Sequence, residues 1–194
     1  MSRVRAVCIY CGARKGGDPG HAIAAAALGA GLAARGIELV FGGGRIGLMG
    51  VAADACLSGG GRVTGIIPRH LHRLEVGHTG ASELLVVPNM HERKRMMVER
   101  SDAIAILPGG LGTLDETFEV ATWKQLGLHD LPIFVLDLAA YWRPLLDLIE
   151  HTIRDGFAPA EIRGLFTVVP TVDAFFAALE AAPPPRFDFR DRWA

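Results

Sequence analysis

The feature that most constrains the fold is a regular alternation of short apolar segments with longer helical segments. The apolar segments are continuous runs, such as "IELVF", and such runs are typical of strands covered on both faces. Strands are predicted at 4–10, 37–41, 62–68, 83–88, 103–107, 132–137 and 166–169. Helices are predicted between and after them, at 19–35, 47–58, 89–101, 113–127, 142–155 and 172–181.

This alternation predicts a single α/β domain, an open doubly wound parallel sheet with helices on both faces in three layers, α/β/α. The chain has 194 residues and is half hydrophobic, which is enough for one sizeable core. We assign residues 1–182 to this domain and the proline-rich, charged residues 183–194 to a loose tail. Ligands of such folds bind beyond the carboxyl ends of the strands, so the loops that follow strands are the places to search.

Composition excludes several classes of function. The 20 basic residues nearly balance the 21 acidic ones, which argues against a nucleic-acid partner. The longest apolar segment, 22–34, is shorter than the roughly 20 residues of a membrane span, and the N-terminus does not resemble a signal peptide. We therefore expect a cytoplasmic protein. The three cysteines, Cys8, Cys11 and Cys56, indicate neither a disulfide framework nor a metal site.

A first glycine-rich loop, "FGGGRIGLMG" at 41–50, connects a predicted strand to a predicted helix. It contains Gly42-x-Gly44-x-x-Gly47, formally the dinucleotide fingerprint, in which the backbone approaches a phosphate at a helix N-terminus. Gly43 and Gly44 are therefore candidate substrate contacts. The fingerprint also expects an acid about 20 residues later, but the next strand ends in "GIIPRH". A tight turn without a ligand is an equally good interpretation of this pattern alone.

A second glycine-rich loop, "ILPGGLGTLDE" at 106–116, also follows a strand. Its three glycines are expected to allow positive φ angles and to expose backbone N–H groups, at Gly109, Gly110 and Gly112. We expect Thr113 to begin the next helix, and Thr113-x-x-Glu116 then matches a capping box. On that motif alone Glu116 is a helix cap. Its place beside a second anion-compatible loop favours a functional carboxylate instead.

The predicted helix 89–101 presents an arginine on a partly apolar face. Met90, Arg93 and Met97 share one face at helical spacing. A guanidinium on an inward face requires an anionic partner or a phosphate. By the same argument, Lys94 is expected to be exposed.

The segments "FGGGRIGLMG", "MHERK" and "PGGLGTLDE", in this order, resemble the LOG ("lonely guy") family of cytokinin riboside 5′-monophosphate phosphoribohydrolases. The likeness covers most of the chain, and the combination of "MHERK" with PGGxGTxxE is its specific part. The segment "CGARKG" departs from the family, because many relatives have serines there. The resemblance implies a Rossmann-like homodimer that hydrolyses the N-glycosidic bond of cytokinin riboside 5′-monophosphates and AMP. The products would be a free base and ribose 5-phosphate, and no cofactor is required.

The resemblance also implies roles for individual residues. Arg93 and Glu116 match the catalytic arginine and glutamate of the family. A carboxylate suits this reaction because positive charge develops at C1′ of the sugar when the glycosidic bond breaks. Substrate contacts are implied for Glu75, Lys94, Gly110, Leu111, Gly112, Thr113, Leu114, Asp115 and Thr122. That implication revises the exposed position expected for Lys94.

Other functions stay open at this point. A module of the same fold could bind nucleotides or molybdenum cofactor without hydrolysis. A nicotinamide-dependent oxidoreductase is suggested only by the first glycine loop, and lysine decarboxylase activity is the weakest alternative. The expected homodimer has one physical indication, since the predicted helix 113–127 is apolar on more than one side.

Overall fold

The computed structural model describes residues 4–73 and 77–183. Within these ranges the strands are β1 (Ala6–Tyr10), β2 (Glu38–Phe41), β3 (Val63–Pro68), β4 (Glu83–Val87), β5 (Ala103–Ile106), β6 (Ile133–Leu136) and β7 (Thr167–Val169). The α-helices are α1 (Pro19–Ala34), α2 (Gly47–Ser58), α3 (Arg69–Arg73), α4 (Met90–Glu99), α5 (Leu111–Gln125), α6 (Arg143–Arg154) and α7 (Val172–Ala181). Short 3₁₀ helices cover Leu138–Ala140 and Ala160–Leu165.

The strands form one parallel sheet in the order β4-β3-β2-β1-β5-β6-β7. The order reverses at β1, which pairs with β2 on one side and with β5 on the other. The chain therefore leaves β1 and β5 in opposite directions, and a crevice opens at their carboxyl ends. In open α/β sheets this switch point is where ligands bind.

Both faces of the sheet are covered by hydrophobic core. On one face Ile9 of β1 packs in a cluster with Leu28 of α1, which also contains residues of α2 and α7. On the other face Tyr10 of β1 packs in a cluster with Val120 of α5, which also contains residues of α4 and α6. Successive strand residues point to opposite faces, so burial on both faces explains the continuous apolar runs of the sequence.

The predicted α/β fold is confirmed, with the predicted strands and helices present and their ends shifted by no more than two residues. Helix α3 and the 3₁₀ helices were not expected, because segments this short carry little periodicity. None of the helices in the described ranges is long and apolar enough to cross a membrane. Glu75 and residues 184–194 lie outside the described residues, so the boundary after 182 and the tail stay predictions.

Candidate active site

A cavity of about 600 Å³ opens at the switch point of the sheet. Its walls are formed by the loops that follow β1, β2 and β5, by the first turn of α5, and by the residue Tyr141 after β6. The volume lies within the range of roughly 300–1,000 Å³ that small-molecule sites occupy. Both glycine-rich loops of the sequence thus meet at one cavity.

The floor of the cavity holds a buried ion pair between Arg93 of α4 and Glu116 of α5. The distance from Arg93 Nη2 to Glu116 Oε1 is 3.4 Å, and the two residues are only 8% and 7% exposed. The inward position expected for Arg93 is therefore confirmed. Two ionised side chains at this depth are costly to bury, so the pair is more easily explained by chemistry in the cavity than by stability.

Gly42 makes room for this arginine. A Cβ atom at position 42 would lie 1.7 Å from Arg93 Nη2, well inside any allowed contact. The guanidinium therefore passes directly over the backbone at the end of β2, and only glycine permits that approach. Within the described residues, Arg93 Nε is buried and has no hydrogen-bond partner. A buried donor of this kind is available to a ligand.

The ionisation of Glu116 is strongly perturbed. Burial raises the pKa of Glu116 from its ordinary value of 4.5 to about 7, although the Arg93 cation opposes the shift. A carboxyl group that titrates near neutral pH in a cleft is typical of acid–base or electrostatic catalysis.

Helix α5 begins with the glycine loop itself, at Leu111, and Gly110 is its N-cap. The capping box expected at Thr113 and Glu116 is wrong, because the helix starts two residues earlier and Glu116 lies in its second turn. No side chain among the described residues caps this N-terminus. Its first N–H groups and the positive end of the helix dipole therefore face the cavity, where an anion would be stabilised.

Of the three glycines in this loop only Gly109 is required by close approach, since a Cβ atom at Gly110 or Gly112 would meet no neighbour within 4 Å. The expected positive φ angles at Gly109, Gly110 and Gly112 are wrong. A Cβ atom at Gly109 would lie 2.1 Å from Thr113 Oγ1 and 2.9 Å from the backbone nitrogen of Gly12. The loops after β1 and β5 consequently touch, and the Gly12 N–H donates to the Pro108 carbonyl at 3.0 Å.

Lys94 has a different environment from the one the helical pattern predicts. Its ammonium lies 3.1 Å from Asp115 Oδ2 and 3.0 Å from Glu119 Oε2, and the residue is only 7% exposed. The prediction of an exposed lysine is therefore wrong, because α5 packs two carboxylates against it. Neither Lys94 nor Asp115 belongs to the part of the described chain that lines the cavity.

The other predicted contacts divide into two groups. Those that line the cavity with Arg93 and Glu116 are Gly44, Gly110, Leu111, Gly112 and Thr113. Those that the described cavity walls do not include are Gly43, Lys94, Leu114, Asp115 and Thr122. Thr122 is exposed, and its hydroxyl donates to the Phe118 carbonyl at 2.7 Å. Glu75 lies outside the described residues, and its predicted contact with substrate stays a prediction.

Sequence reasoning missed two sets of cavity residues. The first is polar and comes from the loop after β1, the start of α1 and the segment after β6: Arg14, Lys15, His21 and Tyr141. The second is apolar and comes from the start of α2, the end of β3 and helix α3: Ile46, Met49, Ile67 and Leu71. The sequence signal for the first set was the cation-containing loop "CGARKG" after a strand, but no local pattern marks the second set.

The three cysteines are free thiols in the structure. Cys8, Cys11 and Cys56 are buried and free, and burial raises the pKa of the Cys8 and Cys11 thiols. No cluster of three or more metal-ligating side chains occurs in residues 4–73 and 77–183.

Known proteins are similar to this chain in sequence. A family model described as "possible lysine decarboxylase" matches residues 49–179. The cytokinin riboside 5′-monophosphate phosphoribohydrolase LOG of Oryza sativa subsp. japonica is 42% identical over 183 residues, which are 94% of this chain and 76% of the relative. The Arabidopsis thaliana enzyme LOG3, with the same description, is 40% identical over 183 residues, covering 94% and 85% of the two chains.

Solved structures share the fold at lower identity. The molybdenum cofactor binding protein of Rippkaea orientalis superposes with a TM-score of 0.70 at 17% identity, over 93% of this chain and 98% of that one. At this identity the likeness establishes the architecture alone. The sequence matches have much higher identity than the structural ones. They show that the chain belongs to the LOG family of cytokinin riboside 5′-monophosphate phosphoribohydrolases.

Proposed function

We propose that this protein hydrolyses the N-glycosidic bond of adenine-type nucleoside 5′-monophosphates, namely cytokinin riboside 5′-monophosphates and AMP. The products are the free base and ribose 5-phosphate. The observation that carries the proposal is the buried Arg93–Glu116 pair, which lies in the same cavity as the uncapped N-terminus of α5. The carboxylate of Glu116 can stabilise a developing cation, and the N-terminus of α5 can bind a phosphate.

The order of strands along the sheet gives the substrate an orientation. The 5′-phosphate binds at the first turn of α5, beyond β5, where free N–H groups face the cavity. The base packs against the apolar wall beyond β2 and β3, formed by Ile46, Met49, Ile67 and Leu71. The ribose then lies between them, near Glu116.

In this orientation the chemistry uses the carboxylate of Glu116. The C1′–N bond breaks, its electron pair leaves with the base, and positive charge develops on the sugar at C1′. Ionised Glu116 stabilises that charge and orients a water molecule, whose oxygen bonds to C1′. The proton released by the water ends on the departing base, so atoms and charge balance. Arg93 fixes Glu116 and lowers its pKa toward the ionised form.

A carrier of the same fold is the second candidate, because a relative by structure is described as a molybdenum cofactor binding protein. A carrier has no use for a buried carboxylate whose pKa is raised to about 7. The buried pair thus favours hydrolysis.

The test is to incubate the purified protein with AMP and with isopentenyladenosine 5′-monophosphate and to measure free base by chromatography. We expect base release from the wild type and a loss of about a hundredfold to a thousandfold in kcat for Glu116→Gln. The matched control is Glu99→Gln, which removes a carboxylate that pairs with Arg95 on the same helix as Arg93, outside the cavity. Tight nucleotide binding without base release would reject the hydrolase hypothesis and favour the carrier.

The proposal includes the setting of the enzyme. We propose a homodimer that works in the cytoplasm on free nucleotides, with neither nucleic acid nor a membrane as partner. The near balance of charge argues against a nucleic-acid partner, and the exposed apolar side chains of α5 support the dimer.

A further inference from the structure

His21 is a buried imidazole in the cavity wall that the proposed reaction does not use. It is the third residue of α1 and is 7% exposed. Its ring lines the cavity, and among the described residues the contact recorded for the ring is with Tyr141, with no hydrogen bond to either nitrogen. A polar side chain this deeply buried is normally hydrogen-bonded, so its nitrogens are available to a ligand in the cavity.

The neighbours of His21 place it at one end of the cavity. Its ring meets the Tyr141 ring edge-on, with 5.4 Å between the centroids. The Tyr141 hydroxyl donates to the Gly109 carbonyl at 2.7 Å, directly before the N-cap of α5. Tyr141 therefore bridges His21 to the glycine loop. The imidazole lies at the β1, β5 and β6 side of the site, opposite the apolar wall beyond β2 and β3.

Two cations stand at the same end. Arg14 and Lys15 belong to the loop after β1 and line the mouth of the cavity. The loop continues to Gly16, where a Cβ atom would lie 3.0 Å from His21 Nδ1, so this loop packs on the imidazole. The chain as a whole has a net charge of −1, yet this end of its cavity concentrates positive charge. Such a local field selects an anion.

We propose that His21 binds the 5′-phosphate of the substrate, with Arg14 and Lys15 completing the phosphate site at its mouth. The ligand class is a pentose 5-phosphate, alone or as part of a nucleotide. The imidazole and the free N–H groups of α5 hold the phosphate from two sides. His21 is then a specificity residue that separates nucleoside monophosphates from nucleosides. The identity of the full substrate rests on the proposed function, whereas the phosphate site does not.

This position makes His21 a binding residue and not the acid that protonates the base. The base belongs at the apolar wall, on the other side of Glu116. Loss of the imidazole should consequently raise KM for AMP and leave kcat within a few-fold. A general acid would show the reverse, a fall in kcat at nearly constant KM.

The experiment measures binding of ribose 5-phosphate by calorimetry, which requires no turnover, together with KM and kcat for AMP. His21→Phe keeps a ring against Tyr141 and removes both nitrogens, and His21→Gln restores one donor. The control is His151→Phe, on the exposed surface of α6 away from the cavity. Thermal unfolding of each variant shows that the fold is retained, and if His21→Phe does not fold, His21→Gln against wild type decides.

We expect His21→Phe to raise the Kd of ribose 5-phosphate and the KM of AMP about tenfold or more, since hydrogen bonds to charged groups are strong. His21→Gln should recover part of the loss, and the control should bind as the wild type does. An unchanged Kd in His21→Phe, or no binding by the wild type, would overturn the phosphate site. Binding of ribose 5-phosphate that depends on His21, without base release from any nucleotide, would keep the site and reject the proposed hydrolysis.

Discussion

At the scale of single residues, the site depends on how Glu116 is held. The carboxyl group is buried, and the Arg93 guanidinium forms an ion pair with it at 3.4 Å. Burial therefore outweighs the cation, and the pKa of Glu116 is raised to about 7. The proposed reaction needs the ionised form, so enzyme activity should follow this ionisation.

We predict that kcat/KM for AMP rises with pH through an apparent pKa near 7, falling about tenfold per unit below it. Loss of the guanidinium in Arg93→Met should move this acid limb to higher pH, because the cation lowers the pKa of Glu116. A pH–rate series on both proteins checks this, since any ionisation of the substrate is common to the two. An acid limb at the same pH in both would mean that another group controls it.

The same ionisation affects stability in the opposite sense. Because the folded-state pKa of Glu116 exceeds its ordinary value, the folded state holds an extra proton between pH 4.5 and about 7. This group consequently makes the fold less stable as pH rises through that window. Ionised Glu116 therefore destabilises the fold, and its role in the proposed reaction is the better explanation for its buried position.

The sequence predicts some of these residues and not others. Arg93 could be predicted, because two methionines on the same helical face indicate burial. Lys94 could not, since the carboxylates that bury it, Asp115 and Glu119, come from α5, more than twenty residues later. His21 carries no local pattern at all. It becomes a site residue only when α1 and the segment after β6 meet.

At the scale of elements, the N-terminus of α5 carries the proposed phosphate site. Sequence reasoning placed the helix start at Thr113 because Thr-x-x-Glu resembles a capping box. The helix instead begins inside the glycine run, and its first N–H groups are left to the cavity. A capping box and an anion-binding helix start are both compatible with glycine, threonine and glutamate at a helix N-terminus. The sequence pattern alone therefore does not distinguish them.

We predict that Gly112→Asp raises the stability of the fold and weakens the binding of AMP. Gly112 is exposed in the first turn of α5, and a Cβ atom there has no neighbour within 4 Å. An aspartate should stabilise the fold by roughly 0.5–1 kcal/mol, through helix propensity and the helix dipole. It should also raise KM for AMP at least tenfold, because a carboxylate occupies the anion site.

Thermal unfolding and steady-state kinetics measure the two effects. Gly112→Asn is the matched control, with nearly the same shape and no charge, and its KM should change far less. Equal increases in KM for the aspartate and asparagine variants would indicate steric blocking and would count against a phosphate at this N-terminus.

At the scale of the whole molecule, the order of the sheet brings together loops that are far apart in the chain. The alternation of apolar and helical segments predicts the parallel sheet, and the switch point follows once β1 lies between β2 and β5. The cavity itself could not be predicted, because its walls depend on how loops and helices from distant parts of the chain pack. Among the described residues, the outer face of α5 is one surface that this packing leaves exposed.

That face carries an exposed apolar stripe. Leu111 is 85% exposed, Phe118 42% and Leu126 67%, and their spacing places them along one side of the helix. Thr122, an implied substrate contact, lies on the same side and outside the cavity of its own chain. A substrate contact by Thr122 therefore requires a second copy whose cavity faces this helix. Large exposed apolar side chains in a row are typical of an interface.

We predict a homodimer in solution, with twice the chain's mass of 20.7 kDa at micromolar concentration. The double variant Phe118→Lys, Leu126→Lys should be monomeric, because a dimer would have to bury two lysine charges in its interface. It should also lose most of its activity on AMP. Phe157→Lys is the control, since Phe157 is 88% exposed and lies outside α5, in the segment after α6. Light scattering after size exclusion gives the masses. A wild type that is monomeric, or a monomeric variant with full activity, would show that one chain completes its own site.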